Sequence, residues 1–254
     1  RYLDNYPRYL HCIRHIQIYE TPVERNLRLR QLAEPLMFGP TAAPAAIRLE
    51  AVGREALPYL RAGWKAEALE ARFYAAESLA YLGDTSGVKV LREAADKEPA
   101  FRVYALAALA ATQSPEAVVE LQTLLNHDSV ETRYGAFRAI HNIAPNDPSV
   151  AAIKSRGSHS IHIVNSTASP VVHLTQRRKM EVVVFNAEQR LKTPAVLRAG
   201  RYILVRSLPS GNQLTVTYIA PGQPEQRRDI STRVAELIHT VDELGAEYPD
   251  IVQM

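Results

Sequence analysis

Of the eight histidines, His11 and His15 stand four residues apart, a helical spacing that puts two imidazoles on one face and suits a shared metal ion. The glutamate that serves as base in a His-Glu-x-x-His zinc site is missing, which removes the hydrolytic reading. Cys12 lies between them. A nucleophilic thiolate needs a positioned base and a lowered pKa, but His11 points to a different helix face, so a half-buried helix cysteine is expected. His159, His162 and His173 fall in or beside strand-like segments with no acidic cluster or cysteine nearby, which reads as strand residues rather than ligands. The scattered glycines build no phosphate loop. The sequence therefore predicts no catalytic residue, no metal and no cofactor.

Binding chemistry is better represented. Between Ser155 and Ile230 eleven Lys and Arg face four Asp and Glu, a net of +7 that leaves −4 for the rest of the chain. Arg177, Arg178 and Lys179, with Arg227 and Arg228, are candidates to hold an anionic partner: nucleic acid, an anionic envelope polymer or an acidic protein. Tyr74, Tyr104 and Tyr134 recur in the middle of the chain, as candidates for a partner-binding face or for packing between repeats.

Those tyrosines sit in three near-copies of one phrase: Ala71-Arg72-Phe73-Tyr74-Ala75-Ala76, Phe101-Arg102-Val103-Tyr104-Ala105-Leu106 and Thr132-Arg133-Tyr134-Gly135-Ala136-Phe137. The arginines are 30 and 31 residues apart, and Leu79, Leu109 and Ile140 each follow their arginine by seven. An apolar phrase around Leu60, Leu91 or Leu121 precedes each one, so every unit is two short helices. A period near thirty with two amphipathic helices is the mark of an α-solenoid, where stacking supplies the core. Ser114-Pro115 places a capping hydroxyl before a proline at the first helical position, and Gly83-Asp84 stops the preceding helix. The recurrent arginines read as a ladder to carboxylates or backbone carbonyls of adjacent repeats rather than as an anion site. The array resembles HEAT repeats of the short, phycobilisome-lyase-like kind.

The expected class is α+β multidomain: an α-solenoid of short HEAT-like repeats followed by a small β-rich domain with a C-terminal helix. Residues 1–40 are expected to form an N-terminal helical cap. Tyr9, Leu10, Ile13 and Ile16 mark its first helix, and Thr21-Pro22-Val23-Glu24 a capping box before the second; Pro35, Gly39, Pro40 and Pro44 close it. The solenoid takes 41–152. Residues 159–254 form a small α+β domain, a five-stranded sheet with strands near 161–164, 171–174, 181–185, 202–205 and 214–219. Ser231 is then expected to open a helix carrying Val234, Leu237, Ile238 and Val241 on one face.

Val234-Ala235-Glu236-Leu237-Ile238, followed by Leu244-Gly245-Ala246 and Tyr248-Pro249-Asp250, resembles the closing segment of bacterial flagellar P-ring proteins. From Arg8-Tyr9-Leu10 through Ala199-Gly200-Arg201-Tyr202 onward the chain is similar to the C-terminal portion of planctomycete P-ring-like proteins that carry HEAT repeats. The resemblance implies a non-enzymatic, periplasmic component of the flagellar basal body, with rod or ring proteins or copies of itself as partners. An ordinary P-ring protein has no HEAT array. The alternative is a HEAT-type nucleic-acid-binding protein using a basic surface; acidic residues among the repeats, such as Glu67, Glu70, Glu77 and Glu93, weigh against it.

One cysteine excludes an intramolecular disulfide framework. No apolar run approaches the roughly 20 residues of a membrane span. The chain begins at Arg1 without an initiator methionine or a basic-then-apolar leader, which reads as part of a longer protein.

Overall fold

The computed structural model describes residues 21–153, 157–175 and 180–254. The first expected helix, with His11, Cys12 and His15, lies outside the described residues, as do Arg177, Arg178 and Lys179. Two compact units are present: one runs to Ala144, and the other from Pro145 to Met254 together with Asp128–Val130.

The first unit is helical. It contains α1 (Pro22–Ala33), α2 (Gly39–Val52), α3 (Leu57–Gly63), α4 (Leu69–Tyr81), α5 (Val88–Lys97), α6 (Arg102–Ala111), α7 (Pro115–Leu124) and α8 (Val130–Ile143). Helix starts follow local chemistry. Thr21 and Glu24 form the expected capping box, the Thr21 hydroxyl accepting from Glu24 N and the Glu24 carboxylate accepting from Thr21 N at 2.9 Å. Ser114 caps α7 through Ala117 N at 3.1 Å, with Pro115 at the first position.

Helix α4 ends on Gly83 at φ +76°, where the Asp84 amide turns back to Leu79 O at 2.8 Å. Asp84 then receives the Ser86 amide at 3.0 Å and pairs with Arg61, so a single residue closes one repeat and starts the next. Pro44 does not end the cap. It lies inside α2, where the N–H hydrogen bond it cannot donate would go to Pro40 O at the helix start, and burial of Ala42, Ala45, Ala46 and Leu49 holds the helix regardless.

The helices meet through small residues. A Cβ on Gly63 would lie 2.5 Å from Leu36 Cδ2, and one on Gly87 would lie 2.8 Å and 2.9 Å from the Cβ and Cα of Ala76. Leu36, Leu49, Leu60 and Leu79 are fully buried at one end of the array, and Leu91, Leu109, Leu121, Phe137 and Ile140 carry the core onward.

The second unit has eight strands among its described residues, in two four-stranded sheets. Strands β1 (Ala152–Ile153), β2 (Ser160–Val164), β3 (Val171–Thr175) and β4 (Glu181–Phe185) lie in the order β1-β2-β4-β3, with β2 and β4 parallel. Strands β5 (Val196–Ala199), β6 (Ile203–Ser207), β7 (Gln213–Tyr218) and β8 (Gln226–Ser231) form an antiparallel meander. Helices α9 (Val234–Glu243) and α10 (Tyr248–Gln253) follow. One core joins Ile161, Val182 and Val184 of the first sheet, Ile203, Val205, Leu214 and Val216 of the second, and Leu237, Ile238, Val241 and Ile251 of the helices.

This corrects the expected five-stranded sheet. The five expected strands exist, but β1, β5 and β8 went unread, because an edge strand buries little and carries little apolar pattern. In β8 only Ile230 is buried. Ser231 is also reassigned: it ends β8, and its hydroxyl and amide bind the Glu236 carboxylate, so Arg233 rather than Ser231 precedes α9.

Gly87→Ala should cost about 1–3 kcal/mol, because the added methyl meets the backbone of α4 rather than a mobile side chain. Gly83→Ala, where nothing lies within 4 Å, should cost about 1 kcal/mol from its positive φ alone. Thermal melts of the two variants should separate in that order; equal shifts would deny the close approach at Gly87.

Candidate functional site

The repeated arginines sit at the N-terminal ends of α4, α6 and α8. Arg72 Nη1 donates to Glu67 O at 2.8 Å and to Ala66 O at 3.4 Å, and Arg102 Nε donates to Ala95 O at 3.2 Å. Arg133 is fully buried. Arg72 thus ties α4 to carbonyls of the loop that follows α3, and Arg102 ties α6 to a carbonyl of the last turn of α5. In the repeat frame that opens on the arginine helix, both reach back before their own repeat, to carbonyls five to seven residues earlier, as the expected ladder to backbone carbonyls requires.

The tyrosines divide. Phe73 and Phe101 stack across neighbouring units at 4.2 Å and 14°, and Tyr74 sets its edge against both, at 5.1 and 5.8 Å. Tyr134 packs 5.9 Å from Phe137. Tyr104 is 41% exposed beside Val103 at 73%, so α6 presents the open part of this surface. Tyr134 directly follows its arginine, whereas Tyr74 and Tyr104 follow theirs by two, and the three rings do not occupy one equivalent position.

Between α2 and α4 the structure holds a feature that the sequence reading missed. Glu50 is buried and hydrogen-bonded to the Ser78 side chain, with Glu77 and Tyr81 alongside. Burial pushes the Glu50 carboxyl up to about 8, with the Ser78 bond opposing and the Glu77 charge adding. Burial alone brings Glu77 to about 7 and, with these two carboxylates, raises the Tyr81 hydroxyl above its ordinary value. For Glu77 a signal was available: five residues after the arginine the other units carry Ala107 and Arg138, and only this one a glutamate.

In the second unit His159 Nε2 lies 3.1 Å from Asp242 Oδ1, both side chains buried, with the Tyr248 ring 5.9 Å away and its hydroxyl donating to Thr175 O. His162 lies 2.7 Å from Val150 O through Nδ1 and 3.1 Å from Ser160 Oγ through Nε2. Burial holds the His173 imidazole below its ordinary value, with Glu181 opposing. Each histidine thus has a structural setting of its own. Among the described residues no three of His, Cys, Asp and Glu gather in the manner of a metal site.

Arg227 and Arg228 are neighbours on β8 and therefore face opposite ways. Arg228, across from Val216, turns toward the helices and pairs with Glu243. Arg227, across from Thr217, stays on the open face, 3.7 Å from Asp229. Two further cations share that open face, Arg198 on β5, which was not read as a strand, and Arg206 on β6, just past the strand expected near 202–205.

The helical unit is an array of HEAT-like repeats, joined in one chain to a two-sheet unit with C-terminal helices. The family model for the PBS lyase HEAT-like repeat matches residues 71–97 and 101–127, that is α4 with α5 and α6 with α7, a frame that opens on the arginine helix. Among solved structures the chain is similar to one from the complex of CpcE and CpcF of phycocyanin lyase from Nostoc sp. PCC7120, at 21% identity over 46% of this chain and 78% of that one, with a TM-score of 0.37. No curated protein matches the sequence. Among the described residues no helix is long and apolar enough to cross a membrane.

Glu50 and Glu77 bind protons more tightly folded than unfolded, so the stability they contribute is full below about pH 4.5 and is lost as pH rises through about 7 and 8. Glu50→Gln should therefore raise the melting temperature at pH 8.5 and flatten its decline from pH 5. The gain should be roughly 2–4 kcal/mol, one pKa unit being worth about 1.4. A variant less stable than the parent at pH 8.5 would show that the carboxylate form is the one the fold prefers.

Proposed function

We propose that this protein is a non-enzymatic scaffold whose repeat array binds protein partners. The observation that carries the reading is the surface of α4, α6 and α8, where half-buried Tyr74, exposed Val103 and Tyr104, and exposed Arg138 place aromatic, apolar and cationic side chains. Aromatic and arginine side chains are the residue types enriched at protein interfaces. The array's HEAT-like character supports the same reading, since solenoids use extended surfaces of this kind.

The finer assignment, a P-ring-like component of the flagellar basal body on the periplasmic side of the bacterial envelope, extends this reading on the sequence resemblance alone. Rod proteins, ring proteins and copies of this chain are the partners it names. The rival, duplex DNA cradled by the array, is weakened by Arg72 and Arg102, whose guanidinium groups are engaged by backbone carbonyls. Binding that neutralises phosphates needs cations that are free to meet them.

Cross-linking of the tagged parent protein in its own cells, read by mass spectrometry, tests both levels. Cross-links from α4, α6 and α8 to a defined protein or to a second copy are expected, and rod or ring proteins among them would establish the finer assignment. Capture of nucleic acid by the array in place of protein would overturn the scaffold reading.

A further inference from the structure

The antiparallel sheet β5–β8 has one face in the core and the other in solvent. Its pairing register fixes what the solvent face carries: Val196, Arg206, Thr215 and Asp229 stand in one row across the strands, and Arg198, Leu204, Thr217 and Arg227 in the next. Arg198, Arg206 and Arg227 are all exposed, and Val196 (69%) leaves aliphatic surface beside them; Ile219 (58%) lies beyond these rows, next to Tyr202. The one acidic member, Asp229, is engaged by the Thr215 hydroxyl at 2.6 Å and by Arg227. Among the described residues Arg198 and Arg206 have no carboxylate within ion-pair distance.

From this arrangement we infer that the solvent face of β5–β8 is a docking surface for an acidic protein partner. The inference rests on the scaffold reading and names the second surface through which the chain would join its neighbours. Charge identifies the occupant's sign. Two guanidinium groups stand without a counter-charge on a face about 14 Å across, four strands at about 4.8 Å spacing.

The composition of the face identifies its class. Guanidinium groups beside exposed Val196, with half-buried Leu204 in the row between Arg198 and Arg227, match a protein interface, where apolar and polar groups are mixed and arginine is enriched over lysine. A surface for single-stranded nucleic acid would instead need rings on which bases stack, and in these two rows there is none; Tyr202, 45% exposed, stands beyond them. Carboxylates of a partner would meet the planar guanidinium groups in paired hydrogen bonds. Arg228, singled out from sequence, takes no part, since it lies on the other face with Glu243.

The test compares three forms of the whole chain: the parent, Arg198→Glu/Arg206→Glu, and the charge-matched control Arg48→Glu/Arg54→Glu on exposed positions of the helical unit. Labelled poly-L-glutamate and a thymidine oligonucleotide of equal charge are titrated against each by fluorescence anisotropy, at about 50 mM salt where exposed charges are weakly screened. All three forms are first matched for thermal melting and circular dichroism.

The expected result is binding of polyglutamate by the parent, weakened at least tenfold in R198E/R206E and less than twofold in the control, with the oligonucleotide bound more weakly than polyglutamate. Absence of polyglutamate binding, an equal loss in the control, or tighter binding of the oligonucleotide would each overturn the inference. None of these outcomes decides the role of the repeat array, which the cross-links from α4, α6 and α8 report separately.

Discussion

No repeat of this chain can bury its apolar face alone, and everything else in the helical unit follows from how the repeats are allowed to touch. Alanines and glycines set the spacing: Ala76 meets Gly87 at a distance that leaves no room for a methyl group. At that spacing the leucines of successive helices reach one another and are fully buried. Phe73 and Phe101 then lock two neighbouring units by direct stacking. Two of the arginines that recur with the period, Arg72 and Arg102, bind backbone carbonyls in the loop after α3 and the last turn of α5. A binding surface that runs over several helices is useful only if their spacing is fixed, so the same contacts that fold the array also define what it presents.

The second unit meets a different constraint with a related result. Two sheets and two helices share one core, which commits a single face of β5–β8 to the interior and leaves the other to water. The meander's outer residues are therefore free to be arginine and threonine, and three arginines gather there without any cost in packing. Beneath them the polar groups are settled internally: the buried His159 and Asp242 face one another, and Glu243 holds Arg228. The unit's cationic surplus is thus sorted by strand alternation, part of it neutralised against α9 and part of it displayed.

Much of the helical architecture was legible in the sequence, because a repeat states its signal three times. The caps at Thr21 and Ser114 and the stop at Gly83 fell at the residues whose side chains or backbone freedom require them. The two-sheet plan was less legible. Strands β5 and β8 lie at the edges of their sheet, and four of the six residues in β8 are exposed polar side chains that carry no apolar alternation. Candidate site residues suffered for the same reason. Arg227 and Arg228 look like one patch in sequence and belong to opposite faces in the fold, while Arg198 and Arg206, eight residues apart, stand on one face of adjacent strands. The buried Glu50 escaped notice because nothing in a helical pattern distinguishes a solvated glutamate from one enclosed by a neighbouring helix.

The central claim is that the array behaves as one continuous stack, and hydrogen–deuterium exchange on a Phe73→Ala variant tests it most directly. Phe73 is 1% exposed and its ring bridges α4 and Phe101 at the start of α6. Removing it opens a cavity worth about 3–5 kcal/mol. If the units depend on one another, amide protection falls in α4 and α6 together and spreads into α5. Loss confined to α4, with α6 exchanging as in the parent, would mean that the repeats are independent and that the surface they share is not held as one.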